Sequence, residues 1–167
     1  METDESKPNI QLARKLARSL LQQAGVIIPP IWLNDIVKHL KKTYDLSIYS
    51  WALGDKIDGI QVTQGEQSVI AYNDSKHPHR KRFTVAHEIG HLVMGHTQAK
   101  YDLDPESKDP REIEANQFAA ELLMPLSLLN GEIKNGNKNI KNLAKKYYVS
   151  EEAMWRRLME CKLISKF

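Results

Sequence analysis

The sequence predicts an α+β fold that is mostly helical and carries one small, three-stranded antiparallel sheet. Apolar residues recur at helical spacing before residue 43 and again from about residue 79 onward. Between these parts, residues 46–72 alternate between apolar and polar side chains, which is typical of short strands. With 167 residues, the chain is long enough for one domain with its own core.

Composition narrows the class of protein. Hydrophobic residues make up 41% and charged residues 27% of the chain, as in ordinary globular proteins. The single cysteine, Cys161, excludes an intrachain disulfide and fits a reducing compartment. The N-terminus is acidic and polar, and no apolar run approaches the length of a membrane span. We therefore expect a cytoplasmic protein without membrane contact, and a net charge of +3 is too small to indicate nucleic-acid binding.

The first half of the chain is predicted to contain a tail, two helices and three strands. Residues 1–8 are expected to form a disordered tail. Helical spacing then predicts a helix over residues 9–24, ended by Gly25, and a second helix over residues 34–42 after a rigid turn at Pro29-Pro30. Three strands follow at residues 46–51, 59–63 and 68–72, the last two joined by a tight hairpin.

The third helix is predicted to begin near residue 79, and it contains His87-Glu88-Ile89-Gly90-His91, an H-E-x-x-H pattern. On a helix, residues four apart differ by about 40° around the axis, so both histidines can bind one ion from the same side. Glu88 lies at the edge of that face, where it can act as general base on a water molecule. The pattern therefore predicts one catalytic Zn²⁺ per chain, with another divalent transition metal as the alternative.

Two histidines leave a catalytic zinc ion short of one protein ligand. His96 follows His87 by nine residues, one fewer than the metzincin spacing, and would lie about 180° away on a continued helix. The spacing therefore disfavours His96 as a ligand. We expect it at the helix C-terminus, or lining the site if the helix ends at Gly95.

The fourth predicted helix, residues 110–124, offers a better third ligand. It has Asp109 as its N-cap and proline at its first position. On its helical wheel, Glu112 and Asn116 are the polar pair inside an apolar arc. A carboxylate directed into a core favours a bound cation, and Asn116 can accept a hydrogen bond from a ligand histidine.

Two alternatives to this assignment stay open. Glu112 could instead complete a capping box by accepting a hydrogen bond from the Asp109 amide. Glu114 is the fallback ligand, although the wheel places it with Glu121 on the far side of the helix, which we expect to be solvated.

Two sequence blocks together resemble the ImmA/IrrE family of metallopeptidases. The first is RFTVAHEIGH at residues 82–91, and the second is EIEANQFAAELLMP at residues 112–125. The resemblance implies a zincin-like, gluzincin-type peptidase in which His87, His91 and Glu112 hold zinc and Glu88 is the base. It also implies a helix-turn-helix repressor as substrate, because family members characteristically cleave or inactivate such proteins.

The C-terminal tail reads like a helix-turn-helix, with one helix before Tyr148 and another opened by Ser150. Binding to DNA would place the start of the second helix in the major groove and Arg156 and Arg157 on phosphates. That start carries Glu151, Glu152 and Trp155, and its acidic residues are unfavourable for DNA. We therefore favour a helical pair that closes the core, with nucleic-acid binding as the less favoured interpretation.

The predicted organisation is a tail at residues 1–8, a zinc peptidase domain at residues 9–136, and a helix-turn-helix-like segment at residues 137–167 packed on that domain. The predicted function is a zinc-dependent endopeptidase that cleaves a helix-turn-helix transcriptional repressor, and so an antirepressor. The alternative is a regulatory protein that binds a repressor or DNA without cleavage and whose metal is structural. Candidates for contact with the oxyanion or substrate, by sequence position alone, are Tyr72, His79 and His96.

Overall fold

The structure, a computed structural model, describes residues 7–96 and 104–165 and confirms the predicted α+β fold class. Within these ranges the elements are α1 (Ile10–Ala24), α2 (Leu33–Leu40), β1 (Asp45–Trp51), β2 (Gly59–Gln64), β3 (Gln67–Asn73), α3 (Pro78–Met94), α4 (Pro110–Leu123), α5 (Leu126–Lys134), α6 (Ile140–Tyr147) and α7 (Glu151–Glu160). Residues 1–6 of the predicted tail lie outside the described residues, and Lys7 and Pro8 have no regular secondary structure.

The helix ends follow local sequence signals. The Asn9 side chain accepts a hydrogen bond from the Leu12 amide and caps α1, and Gly25 ends it at a φ of 69°. Gly95 likewise ends α3 with a φ of 73°, a conformation that glycine adopts without strain. One helix, α5, was not predicted, because it follows directly on Pro125 and has no capping side chain of its own at its N-cap residue.

The sheet is mixed, so the antiparallel prediction was wrong for one of its two pairings. The strand order is β1-β3-β2, with β3 antiparallel to β2 but parallel to β1. The connection between β1 and β2 leaves room for β3 to enter between them. The Asn73 side chain holds this connection by donating hydrogen bonds to the carbonyl oxygens of Gly54 and Ile57, at 2.6 and 2.8 Å.

The core lies between α3, α4, α1 and the sheet. Ile89 on α3 and Phe118 on α4 are fully buried at the centre of this packing. The two helices approach closely because residue 90 is glycine: a Cβ there would lie 3.1 Å from the Phe118 ring and 3.2 Å from the Ala115 backbone. This close approach brings the first turn of α4 within reach of the His87–His91 face of α3.

The C-terminal helices pack on the same core. The Arg157 side chain of α7 is 1% exposed and donates to the Met124 carbonyl at the end of α4, at 3.1 Å. It also forms an ion pair with Glu121 of α4. In the part of the chain that the structure describes, no helix is long and apolar enough to cross a membrane.

Candidate metal centre

Three buried side chains from α3 and α4 converge on one point. The Nε2 atoms of His87 and His91 lie 3.0 Å apart. The Glu112 carboxylate faces both, with one oxygen 3.1 Å from His87 Nε2 and the other 3.2 Å from His91 Nε2. In a tetrahedral zinc site, bonds of about 2.0–2.1 Å separate neighbouring ligand atoms by roughly 3.3–3.4 Å. The three residues are therefore arranged much like three ligands around one ion.

Hydrogen bonding around His87 leaves a lone pair directed at this point. Asn116 Oδ1 lies 2.9 Å from His87 Nδ1. The Asn116 amide is oriented by its nitrogen, which donates to the Asp104 carbonyl at 3.1 Å. The oxygen must therefore accept, so His87 carries its proton on Nδ1 and its Nε2 is unprotonated when neutral. A lone pair that faces a carboxylate needs a cation between them, which a metal ion supplies.

The charges at the centre suit a bound cation. Burial by itself raises the pKa of Glu112, and a lowered pKa for this carboxyl depends on protons on the two imidazole Nε2 atoms or on a cation in their place. Burial lowers the pKa of His91, which favours the neutral ligand form. These residues supply donor atoms of the kind that divalent metals bind, and no permanent positive charge of their own.

Glu88 lies beside the ligands and has an unused acceptor. The residue is 3% exposed, and its Oε2 has no hydrogen-bond partner among the residues that the structure describes. Burial, followed by the charge of Glu112, raises its pKa well above the ordinary value of a glutamate. The Glu88 side chain fits against β2 because residue 59 is glycine. A Cβ there would lie 2.4 Å from Thr84 Cγ2 and 3.5 Å from Glu88 Oε1. Gly59 was not among the predicted site residues, and its signal was an unexplained glycine at the start of a strand.

On its other side His91 contacts His96, which was expected at the helix C-terminus or lining the site if the helix ends at Gly95, and His96 in turn contacts Glu114. His96 Nδ1 lies 2.8 Å from His91 Nδ1, and His96 Nε2 lies 2.9 Å from the Glu114 carboxylate. Glu114 was expected on a solvated face, but its side chain is only 13% exposed, because α1 covers it and the Asn9 amide donates to it. The capping-box alternative for Glu112 is not observed: the Asp109 amide donates to Ser107 at 3.3 Å.

Residues 48–159 match the family described as the IrrE N-terminal-like domain, a peptidase family. The chain belongs to this family. The resemblance to ImmA/IrrE peptidases predicted from the two sequence blocks is thereby confirmed, and the matched range contains α3 and α4, which carry the three converging residues.

Two curated proteins are similar to parts of the chain. The radiation response metalloprotease IrrE of Deinococcus deserti is 41% identical over 71 residues, which cover 39% of this chain and 25% of that protein. The uncharacterized immunity region protein 2 of Bacillus phage phi105 is 31% identical over 85 residues, or 48% of this chain and 53% of that protein. The chain thus spans about a quarter and about half of these relatives.

One solved structure shows the same fold. The superposition with a Mycobacterium tuberculosis transcriptional regulator has a TM-score of 0.66 at 14% sequence identity. It covers 89% of this chain and 46% of that one. At this identity the likeness concerns the fold alone.

The remaining candidate residues lie in different places. Tyr72 pairs with Gly59 across the sheet and is half-buried. His79 lies two turns before His87, roughly 12 Å along the helix axis. Its ring contacts those of His77 and Tyr148, with centroids 4.7 and 5.0 Å away. The structure therefore places Tyr72 across from the glycine beside Glu88, and His79 away from the converging residues.

The two arginines of the tail that the DNA-binding interpretation placed on phosphates are paired within the protein. Arg157, expected on a phosphate, is buried in its ion pair with Glu121. Arg156 is paired with Glu106 and with Glu152 of its own helix. The less favoured DNA-binding interpretation placed both arginines on phosphates, and Arg157 does not fit that placement because α7 turns its side chain toward α4.

Proposed function

We propose that this chain is a zinc-dependent endopeptidase and that its substrate is a helix-turn-helix transcriptional repressor. The observation that carries the proposal is the convergence of His87, His91 and Glu112 beside the buried, unpartnered Oε2 of Glu88. In this proposal residues 9–136 form the peptidase domain, and residues 137–167 pack on it as a helical segment. We also propose that the protein acts in the cytoplasm.

Each of the four residues has one proposed role. His87, His91 and Glu112 hold Zn²⁺, which when bound supplies the Lewis acidity that activates a water molecule and polarises a peptide carbonyl. Glu88 Oε2 accepts a proton from the water that attacks this carbonyl. Glu88 then gives that proton to the leaving amine. The burial of Glu88 keeps bulk water from competing for this acceptor.

The donor set favours zinc among the divalent metals. Two imidazole nitrogens and one carboxylate suit Zn²⁺ with an open coordination position, and this is the ligand set of thermolysin-type peptidases. Imidazole also binds other transition metals, so manganese, iron or cobalt is the alternative occupant.

The proposed substrate rests on family membership. One relative is named a radiation response metalloprotease, and another an immunity region protein of a phage. The ImmA/IrrE resemblance associates such proteins with control of helix-turn-helix repressors. Tyr72 is our preferred candidate for contact with the oxyanion or substrate, because it lies opposite Gly59 and hence beside the Glu88 side of the centre.

The direct test incubates the zinc-loaded protein with the helix-turn-helix protein encoded beside it, and reads the products by intact mass. We expect two new fragments whose masses sum to that of the substrate plus one water, and no fragments in the presence of a chelator. Glu88→Gln should keep the metal and lower turnover by about 10²–10⁴-fold. The matched control Glu66→Gln, in the exposed β2–β3 turn, should cleave normally.

Two results would contradict the proposal. Unchanged turnover in Glu88→Gln would exclude the assigned mechanism. A stoichiometric complex with the repressor, without fragments at any metal concentration, would favour the non-proteolytic alternative.

A further inference from the structure

His91 has its own hydrogen-bonded support, and it is distinct from the one that orients His87. We infer that His96 and Glu114 form a relay that keeps the proton of His91 on Nδ1 and leaves Nε2 free to bind the metal. This inference rests on the proposed metal site. Neither residue is a ligand in it: both are positioning residues that act through His91.

The relay begins at Glu114. Its Oε1 accepts a hydrogen bond from the Asn9 amide at 2.6 Å, and its Oε2 lies 2.9 Å from His96 Nε2. A glutamate carboxylate can only accept hydrogen bonds. The proton between Glu114 and His96 therefore lies on His96 Nε2.

The proton on His96 Nε2 determines the rest of the relay. A neutral imidazole carries one proton, and Glu114 holds the proton of His96 on Nε2. His96 Nδ1 is then an acceptor, and its partner 2.8 Å away, His91 Nδ1, must be the donor. The proton of His91 is thus on Nδ1, and its Nε2 carries a lone pair directed at Glu112, 3.2 Å away.

The local backbone explains how His96 reaches this position. Gly95 ends α3 in a left-handed conformation, and the His96 amide then donates to the His91 carbonyl at 2.9 Å. This turn brings the chain back, so that the His96 ring meets the His91 ring edge-on with centroids 5.0 Å apart. The same turn explains why His96 is not a ligand: both of its nitrogens are engaged, one with His91 and one with Glu114.

The two ligand histidines are therefore supported by different chemistry. Asn116, oriented by the Asp104 carbonyl, serves His87, whereas a histidine and a carboxylate serve His91. A side chain that bonds the outer nitrogen of a ligand histidine typically contributes about 10–100-fold to metal affinity. Removal of the His96 ring should produce a loss of this size.

The test measures the zinc dissociation constant by competition with a chromophoric chelator. We expect His96→Leu to weaken zinc binding by roughly 10–100-fold. His96→Asn should recover most of this loss, since its amide oxygen can accept the proton of His91 Nδ1. Glu114→Gln should weaken binding less than His96→Leu does. The control His39→Leu, a half-buried histidine on α2, should bind zinc as the wild type does.

A second measurement, on the metal-free protein, separates the relay from the proposed function. Long-range ¹H–¹⁵N NMR correlations identify which imidazole nitrogen carries the proton. We expect Nδ1 of His91 to carry a proton in the wild type, whatever the state of Nε2, and this proton to be partly lost from Nδ1 in Glu114→Gln and His96→Leu. If His96→Leu fails to fold, His96→Asn and the wild-type spectrum still decide.

The relay is overturned if metal-free wild type holds His91 in the Nε2–H form. It is also overturned if His96→Leu binds zinc within about twofold of the wild type. If the wild type binds no zinc, the proposed function fails, and the NMR result alone then decides whether the relay exists.

Discussion

Two buried glutamates on opposite sides of α4 carry the same charge but have different partners. Glu112 and Glu121 are nine residues apart, about 180° around the axis, and are 4% and 0% exposed. Glu121 faces α1 and α7, where it pairs with Arg157 and lies 3.6 Å from Arg18. Glu112 faces α3, where its nearest partners are the imidazoles of His87 and His91.

The two glutamates differ in the source of the positive charge that balances them. Around Glu121 the chain provides a permanent cation, so this pair is complete and structural. Around Glu112 the chain provides two imidazoles whose outer nitrogens are engaged by Asn116 and His96. A buried carboxylate beside two neutral acceptors is incomplete without an added cation. This contrast separates a metal site from an internal ion pair on one helix.

The largest effect on stability is expected at the buried ion pair of Glu121 and Arg157. Glu121→Gln or Arg157→Met alone should lower the free energy of unfolding by about 3–5 kcal/mol, because each leaves a buried charge uncompensated. The double variant Glu121→Leu with Arg157→Met should recover most of that loss. Urea denaturation of the metal-loaded proteins measures both. A single variant with wild-type stability would show that solvent reaches the pair.

A smaller effect on stability is expected when the metal is removed from the proposed site of His87, His91 and Glu112. Free zinc at about 100 times its dissociation constant stabilises a folded protein by roughly 2.7 kcal/mol. For a domain of this size that corresponds to a melting temperature about 5–10 °C higher than in chelator. Glu112→Gln should melt at nearly the same temperature with and without chelator. Equal shifts in both proteins would place the stabilising metal elsewhere.

The smallest effect is expected at a solvent-accessible pair, Glu132 with Lys146, whose side chains are 15% and 48% exposed. Hydrogen bonds from Lys146 and then Asn137 hold the pKa of Glu132 below its ordinary value. The pair therefore contributes fully above the ordinary glutamate pKa of about 4.3, and the contribution is lost as the pH falls through the folded-state pKa.

Glu132→Gln should accordingly lower stability by less than about 1 kcal/mol at pH 7, and by nothing measurable once the pH is well below 4. Chemical denaturation at a series of pH values gives this difference. A loss that persists in acid would assign Glu132 a packing role instead of an electrostatic one.

Helical periodicity was enough to place Glu112 and Asn116 on one face of α4, because that depends only on residues within the helix. It could not predict the surroundings of Glu114 and Glu121. The wheel placed both on the outer side of α4, but α1 and α7 cover that side, and long-range packing is not visible in local spacing. The pairing of β1 with β3 was missed for the same reason.

His96 shows that helical spacing cannot predict every contact, even for a residue close to the motif. Its spacing from His87 would place it about 180° away on a continued helix, but α3 ends at Met94. Its contact with His91 depends instead on the left-handed turn at Gly95, which reverses the direction of the chain. A glycine followed by histidine after an H-E-x-x-H helix is the signal that could have indicated such a contact.

The most direct test compares metal content across the two glutamates. Wild type, Glu112→Gln and the Glu121→Leu, Arg157→Met double variant are loaded with zinc, desalted and assayed by elemental mass spectrometry. We predict about one zinc per chain for the wild type and the double variant, and strong depletion in Glu112→Gln. Retention of one tightly bound zinc by folded Glu112→Gln would contradict the assignment of this glutamate as the third ligand.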